Sequence, residues 1–492
     1  MSQFADLLPP LSHFINGRFV TGEGAAVADV HPATNEAFCD IRWATDAEIE
    51  EAVAAAKAGF EVWRRTRPAE RARILYRTAQ ILRERNDAIA RLETLDTGKA
   101  LQETTVVDVI SAIDALEYFA AHAATMNGEH VAFGGMEGDW GYTVREPLGV
   151  CVGIAAWNYP MQMAGWKSAP ALACGNAMIL KPSETTPLSA LCLAQAYKEA
   201  GLPDGVFNVL QGDGRVGAAL IGHPDVAKVS LTGSSATGSK ILAAAAPGLK
   251  KVTLELGGKS PLVVFDDADI DSAVGGAMLA NFYSTGQVCS NGTRVFVHEK
   301  IRDRFAEKLI RRTEAMIVGD PFDMATQMGP LVSRPHFDKV AAYYRAAPEQ
   351  GECLHDGGFP EIQGFENGNW VGPAIYAPKD DDQPIAREEI FGPLLSLFTF
   401  RDEDEVLSRA NDTIYGLAAG VYTQDLGRAH RMMQRMKAGS CWINTFNVTP
   451  VEMPFGGHKQ SGLGMENGKW ALDAYSQVKS VHVAMGPMQY PY

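Results

Sequence analysis

Between Val150 and Val297 the chain repeats one pattern, a short apolar run followed by a helix-like stretch. The runs are VCVGIAA (150–156), AMIL (177–180), VFNVL (206–210), VAKVSL (226–231) and PLVVF (261–265). Continuous apolar runs this short suit strands covered on both faces, and strands that alternate with helices imply a parallel sheet. A second α/β alternation follows from about 299 to 475 and includes LLSLFTF (394–400) and SCWINT (440–445). The pattern predicts two α/β units.

The segment before this alternation reads as helical. Thr45 and Glu48 have capping-box spacing and lead an amphipathic run to Trp63. Pro68 suits the first turn of a second helix running towards Leu95. A third run spans Ala100 to Ala124. Residues 130–148 are Gly-rich with aromatics and no helical period, and Tyr142-Thr-Val144 reads as a strand. Gln477 to Val483 also alternates like a strand. Two strands outside the main alternation predict a small separate sheet, one that another subunit can complete.

Several functions are disfavoured by the bulk chemistry. A net charge of −15 argues against a general nucleic-acid binder and leaves room for a cationic ligand. No stretch approaches the ~18 apolar residues that a membrane span needs, and the N-terminus lacks a basic region followed by an apolar core. The seven cysteines (39, 151, 174, 192, 289, 353 and 441) are odd in number, widely spaced and free of C-x-x-C. That pattern predicts a reduced, cytoplasmic protein without disulfides or a zinc site.

Six segments carry candidate chemistry. Gly212-Asp-Gly214-Arg-Val-Gly217 matches G-x-G-x-x-G, but no acidic residue follows at the expected strand end, so a tight strand-to-helix turn explains it as well. Thr232-Gly-Ser-Ser-Ala-Thr-Gly238 follows a strand and opens a helix, as a pyrophosphate site or an ordinary turn would. Lys181-Pro-Ser-Glu184 ends a neighbouring strand, where a Lys and a carboxylate can bind ribose hydroxyls, and the carboxylate favours NAD over NADP. Cys289 lies in NFYSTGQVCSNGT, among polar neighbours unlike those of a core cysteine, and suits a nucleophile. Glu255, ahead of two glycines, reads equally as a turn residue or as a base in a cleft. Asn158, ahead of a helix, reads as a cap or as an oxyanion donor.

Taken together, WNYP (157–160), KPSE (181–184), TGSSATG (232–238), LELGGKSP (254–261), GQVC (286–289), EEIFGP (388–393) and PFGGHKQSG (454–462) resemble the aldehyde dehydrogenase superfamily, in order and over essentially the whole chain. Within it, NFYSTGQVCSNGTRVFV and the segment 157–184 are similar to the betaine aldehyde dehydrogenase group. INTFNVTPVEMPFGG (443–457) is also similar to 4-trimethylaminobutyraldehyde dehydrogenases.

This resemblance implies a Rossmann-type cofactor domain (1–129 and 149–258), an α/β catalytic domain (259–474) and oligomerisation strands (130–148 and 475–492). It also implies a homodimer or homotetramer that oxidises a small aldehyde. Cys289 matches the nucleophile, Glu255 the general base and Asn158 an oxyanion donor. Lys167 and Glu466 match a charge relay. Ala156, Trp157, Lys181, Ser183, Glu184, Gly214, Gly233, Ser234, Thr237, Glu389 and Phe391 match contacts to NAD, with NADP as the alternative. Asp29, Asp96, Thr185, Lys459 and Gly462 match the surroundings of potassium sites. Tyr159, Trp166 and Phe446 suit an aromatic holder for a quaternary ammonium, with Cys441 beside it. Trp442 reads equally as a core aromatic. Relatives that pass the acyl group to coenzyme A commonly lack the Glu, so Glu255 implies hydrolysis. The expected reaction is oxidation of betaine aldehyde to glycine betaine, with ω-aminoaldehydes or 4-trimethylaminobutyraldehyde as alternative substrates.

Overall fold

The apolar runs fold as the strands Val150–Ile154, Ala177–Lys181, Phe207–Val209, Val226–Thr232 and Pro261–Val264 in a computed structural model that describes residues 4–133, 138–486 and 492. The first four join an eight-stranded sheet. Its order is Gly462–Leu463, Lys251–Glu255, Val226–Thr232, Val150–Ile154, Ala177–Lys181, Phe207–Val209, His13–Ile15 and Arg18–Val20. The four central pairs, from Lys251–Glu255 to Phe207–Val209, are parallel, while Gly462–Leu463 at one edge and His13–Ile15 with Arg18–Val20 at the other pair antiparallel. Pro261–Val264 instead enters a seven-stranded sheet with Arg294–His298, Leu394–Phe400, Ala418–Tyr422 and Ser440–Ile443. The chain therefore changes sheets within residues 255–261, through Gly257 and Gly258.

The N-terminal segment departs from its helical reading. His13–Ile15, Arg18–Val20, Ala26–His31 and Glu36–Arg42 are strands, too short or too irregular in burial to show a clean period. The capping box forms, with Glu48 N donating to Thr45 Oγ1 at 3.3 Å and Thr45 N to Glu48 Oε2 at 2.7 Å. Pro68 begins a helix, but that helix stops at Glu84, and a new one runs Asn86–Thr97. Arg85 leaves helical geometry (φ −107°, ψ 9°) and pairs with Glu199. The turn lets Leu92 and Leu95 pack on the hairpin 26–42. The third run also divides, into Leu101–Thr104 and Asp108–Ala123, with Val107 at the break.

The two outlying strands pair with each other. Trp140–Pro147 runs antiparallel to Ser476–Val483, with Tyr142 opposite Val481, and His130–Ala132 adds a third strand. Of the expected oligomerisation segments, residues 134–137 and 487–491 lie outside the described residues.

Both faces of the eight-stranded sheet are covered. Strands Val150–Ile154 and Ala177–Lys181 are buried at every position. On one face the helix Pro160–Ala173 is itself buried throughout and packs against Asp108–Ala123. The carboxyl ends of these strands face the second sheet. In open parallel sheets that end is where ligands bind.

Candidate active site

A cavity of about 490 Å³ opens at these strand ends, lined by Asn158, Glu255, Cys289 and Glu466 together with Ala156, Trp157, Gly233, Ser234, Glu389 and Phe391. Residues far apart in the chain meet here because each follows a strand or bridges back to one. Asn158 comes from the loop after Val150–Ile154, and Glu255 ends Lys251–Glu255. Glu466 pairs with Phe455 through two backbone hydrogen bonds of 2.8 Å.

Cys289 is delivered by an unusual turn. Ser284, Thr285 and Gly286 all take positive φ (51°, 55° and 74°). Left-handed geometry costs a residue with a side chain ~1–2 kcal/mol, and surrounding bonds offset it. Thr285 Oγ1 donates to Gly329 O at 2.9 Å, and Gln287 Oε1 accepts from Val332 N at 3.0 Å. A side chain at 286 would collide with the Gly392 carbonyl group. The half-buried Cys289 thiol is pushed up to about 12 by burial and by Glu255 and Glu389. It is a neutral thiol until positive charge or a base arrives.

Glu255 is 3 % exposed and neither of its oxygens has a partner. Burial holds its carboxyl well above the usual range, and Glu466 adds to this while Lys167 opposes it. Asn158 Nδ2 donates to Gln287 O at 2.9 Å, so one of its two N–H groups is engaged and the other remains for a ligand. Behind Glu255, Lys167 Nζ lies 2.6 Å from Glu466 Oε1, and Ser230 Oγ donates to the same oxygen at 2.8 Å. Gly153 makes this possible, since a side chain there would crowd the Lys167 stem at 3.3 Å.

The glycines after Glu255 serve another residue. A Cβ on Gly257 would collide with the Glu389 carboxylate, and Gly258 N donates to Glu389 Oε1 at 2.9 Å. Trp157, His336 and Phe391 form an aromatic wall beside it, with Phe391 held at φ 62°. Ser234 caps the helix Ser235–Ala245 by accepting from Thr237 N at 3.2 Å, leaving a helix N-terminus aimed at the cavity rim.

Lys181, Ser183, Glu184, Gly214 and Thr237 lie outside the cavity lining. Lys181 Nζ holds Glu184 Oε2 at 3.1 Å and also the Gly212 carbonyl, so the KPSE and GDGRVG segments are neighbours. Asp213 caps the helix Gly214–Gly222, and open space surrounds the Cβ position of Gly214.

The aromatic set is only partly where the sequence suggests. Tyr159 and Trp166 line the cavity. Tyr159 Oη shares a 2.5 Å hydrogen bond with Ser284 Oγ, and Lys99 Nζ lies 3.4 Å from its ring centroid. Trp166 Nε1 donates to Ser111 Oγ at 2.9 Å. Phe446 and Cys441 are corrections. Phe446 is fully buried in the core of the second sheet, packed over Gly292 and Gly420 and against Trp442. Cys441 sits on the edge strand Ser440–Ile443, its thiol 3.9 Å from Ala438 O. Phe455 takes the expected place of Phe446, edge-on to Trp166 at 5.7 Å. It stands inside the PFGG motif, but only the bridge to Glu466 shows which way it faces. Val107, Gln162, Met163, Leu279, Tyr283, Asn447 and Thr449 also line the cavity.

Asp29 and Asp96 meet in a buried carboxylate pair. Asp29 Oδ2 and Asp96 Oδ1 are buried without partners. Burial pushes Asp29 up to about 7, and burial with the neighbouring Asp29 pushes Asp96 well above the carboxylate range. Lys459 and Gly462 are not part of this group. Lys459 Nζ is bound to the Asn411 and Thr413 carbonyls, and Gly462 belongs to an edge strand of the eight-stranded sheet, whereas Asp29 lies on a separate two-stranded hairpin. Among the described residues no cluster of three His, Cys, Asp or Glu side chains could hold a metal, and no helix is long and apolar enough to cross a membrane.

Comparison with known proteins identifies the family and the fold. The sequence matches the aldehyde dehydrogenase family over residues 19–481. It is 59 % identical to the betaine aldehyde dehydrogenases of Brucella anthropi and Brucella canis, over 98 % of this chain and 99 % of each relative. Among solved structures, an aldehyde dehydrogenase described as putative from Burkholderia cenocepacia superposes with a TM-score of 0.96 at 39 % identity, covering 98 % of this chain and 99 % of that one. The betaine aldehyde dehydrogenase of Staphylococcus aureus in complex with NAD+ superposes with a TM-score of 0.95 at 35 % identity, covering 99 % and 98 %.

Proposed function

The chain belongs to the aldehyde dehydrogenase family, and from that premise we propose that it oxidises betaine aldehyde to glycine betaine with NAD, through Cys289 and then hydrolysis. The observation that carries the reading is the meeting of Cys289, Glu255 and Asn158 in one cavity that also presents Tyr159, Trp166 and Phe455. A thiol, a buried base and an amide donor perform acyl chemistry, and aromatic faces hold a quaternary ammonium at ~0.5–2 kcal/mol each. The relatives' names point to the same substrate.

Cys289 gives its thiol proton to Glu255, which passes it on to solvent before hydrolysis, and the Sγ thiolate attacks the aldehyde carbon. The oxygen that becomes negative is held by the free N–H of Asn158 and the Cys289 backbone N–H. The nicotinamide of NAD supplies the hydride acceptor. The acyl group then remains on Cys289 as a thioester. Glu255 takes a proton from the attacking water, the C–S bond breaks, and the acid leaves. The empty lone pairs of Glu255 suit a base that must bind water.

The groups around the strand ends fit NAD. The aromatic wall of Trp157, His336 and Phe391 with Glu389 suits its nicotinamide end, the helix N-terminus at Ser234 its pyrophosphate, and the Lys181–Glu184 pair its adenine ribose. The Glu184 carboxylate would repel a 2′-phosphate. Residues 1–129 and 149–258 act as the cofactor domain and 259–474 as the catalytic domain. Exposed Val131, Tyr142, Val144 and Val478 on the three-stranded sheet support a homo-oligomer. The unpartnered oxygens of Asp29 and Asp96 suit a potassium ion. A reduced, cytoplasmic setting suits an enzyme that needs its Cys289 thiol.

The test is a side-by-side aldehyde panel run with NAD and NADP. Betaine aldehyde should exceed its uncharged carbon isostere, 3,3-dimethylbutanal, in kcat/KM, and NAD should exceed NADP. Equal rates for the two aldehydes would remove the quaternary-ammonium claim. A preference for 4-trimethylaminobutyraldehyde would move the assignment to the longer substrate.

A further inference from the structure

The loop that follows the edge strand Ser440–Ile443 runs alongside the nucleophile's own segment, residue by residue. Asn444 pins its start, with Oδ1 accepting from Thr423 N and Nδ2 donating to Thr423 O, each at 3.0 Å. Phe446 then lies over Gly292, whose missing side chain leaves room for the ring. Asn447 reaches the two residues between Cys289 and Gly292. Ser290 Oγ donates to Asn447 Oδ1 at 2.7 Å, and Asn447 Nδ2 donates to Asn291 Oδ1 at 3.1 Å. Val448 O accepts from Trp442 Nε1 at 2.8 Å, which ties the loop back to its strand. Asn447 and Thr449 of this loop also line the catalytic cavity.

Three features set Asn447 apart from a residue that only lines a cavity. Its backbone is left-handed, with φ 55°, a geometry that Asn adopts more readily than most residues with a side chain. Both ends of its amide are committed, one to Ser290 and one to Asn291, so the amide plane is fixed. Its partners are buried as well. Ser290 and Asn291 are each 3 % exposed, and Asn291 Nδ2 has no partner, so among the described residues Asn447 supplies the one side-chain hydrogen bond of each. A buried polar group that loses its partner costs more than the bond contributed. Upstream of Cys289 the chain is held through Thr285 and Gln287. Downstream, Gly292 O accepts from Asn281 Nδ2 at 3.1 Å, and the side chains of 290 and 291 are held by Asn447.

We propose that Asn447 is a positioning residue for the nucleophile, holding Ser290, and through Ser290 the Cys289 sulfur, in line with the aldehyde carbon. The loop that faces the aldehyde thereby sets the geometry of attack as well as the shape of the cavity. The inference rests on Cys289 as the nucleophile, as proposed above. Asn447 makes and breaks no covalent bond and moves no proton. Without it the backbone at Ser290 is free to shift, and a small misplacement of reacting atoms is costly in rate. That loss belongs to Cys289 and not to the aldehyde, so it falls equally on every aldehyde. A residue that only lined the cavity would instead discriminate among them.

The test follows the NADH burst of the full-length enzyme in stopped flow, with NAD and saturating propanal or benzaldehyde, a small and a bulky aldehyde. Asn447→Gly keeps the left-handed backbone without strain and removes both hydrogen bonds. It should slow the burst roughly three- to tenfold, the loss expected of a buried hydrogen bond, by the same factor on both aldehydes. The KM for NAD should stay unchanged, whereas a general loosening of the site would raise it. Ser290→Ala should give a similar loss with Asn447 in place. The double variant should be no slower than the slower single one, because both remove the same interaction. Native burst rates in Asn447→Gly, a loss confined to one aldehyde, a raised KM for NAD, or losses that multiply in the double variant would overturn the proposal. If Asn447→Gly fails to fold, Ser290→Ala decides, with a native burst rate overturning the proposal. Both aldehydes are uncharged, so a wrong quaternary-ammonium assignment would not alter the outcome. Alkylation of native Cys289 with iodoacetamide tests the nucleophile separately, since an alkylated enzyme that still reduced NAD would show Cys289 itself to be misassigned.

Discussion

Asn158 spends one amide hydrogen on the Gln287 carbonyl, two residues before the nucleophile, at 2.9 Å. That bond fixes the amide plane and aims the second hydrogen into the cavity. Replacing Asn158 with Ala removes both. We expect kcat to fall by ~10²–10³, about 2.7–4 kcal/mol of transition-state stabilisation, with KM for the aldehyde little changed. Steady-state kinetics check this. A loss confined to KM would assign Asn158 to substrate binding instead.

Glu255 separates the two halves of the reaction. Its carboxyl is held above the ordinary range by burial and by Glu466, so it is largely protonated and inactive as a base in acid. Hydrolysis should therefore rise as pH increases, on an acidic limb set by Glu255. In Glu255→Gln that limb should disappear, and the enzyme should form one NADH per site and then stop as a thioester. Mass spectrometry of the stalled enzyme would show the acyl adduct on Cys289.

Tyr159 presents its ring to the cavity while Glu103, through Ser284, fixes its hydroxyl. In Tyr159→Ala we expect kcat/KM for betaine aldehyde to fall roughly 2–30-fold more than that for 3,3-dimethylbutanal, the equivalent of ~0.5–2 kcal/mol for one cation–π contact. An equal loss on both aldehydes would mean that the ring only shapes the cavity.

The Asp29–Asp96 pair makes stability depend on pH and cation together. Both carboxyls titrate higher in the folded chain than in the unfolded one. The folded state thus holds protons that the unfolded state has already lost, and stability falls as pH rises from about 4 towards 7. Potassium bound between the carboxylates, as proposed above, would offset that loss. Melting curves at about pH 7.5 should show a higher Tm in potassium than in N-methylglucamine, and the gap should close near pH 4. Asp29→Asn should abolish the gap.

The sheets were the most legible part of the sequence, because strands buried on both faces are written as unbroken apolar runs. The run LLSLFTF becomes the strand Leu394–Phe400 residue for residue. The N-terminal hairpins were not legible, since strands of three residues such as His13–Ile15 carry no period. The helix breaks at Arg85 and Val107 were also invisible, as each is set by contacts to distant segments. For the site, polar neighbours unlike those of a core singled out Cys289, whereas Glu255 and Asn158 read equally as a turn residue and a helix cap until the family resemblance gave them roles. The aromatic wall was harder to read. Phe446 and Phe455 are both aromatics near a motif, and only the pairing of Phe455 with Glu466 puts one in the cavity and leaves the other in the core.

That same bridge has a consequence for how such an enzyme can diversify. Phe455 and Glu466 both line the cavity, the latter beside Glu255, and their backbones share one pair of hydrogen bonds. Moving this loop to admit a larger aldehyde would also move the carboxylate beside Glu255. New substrates are therefore more readily reached by exchanging side chains on a fixed frame than by inserting or deleting residues. Loop-length changes between 455 and 466 should be rare among variants that still turn over.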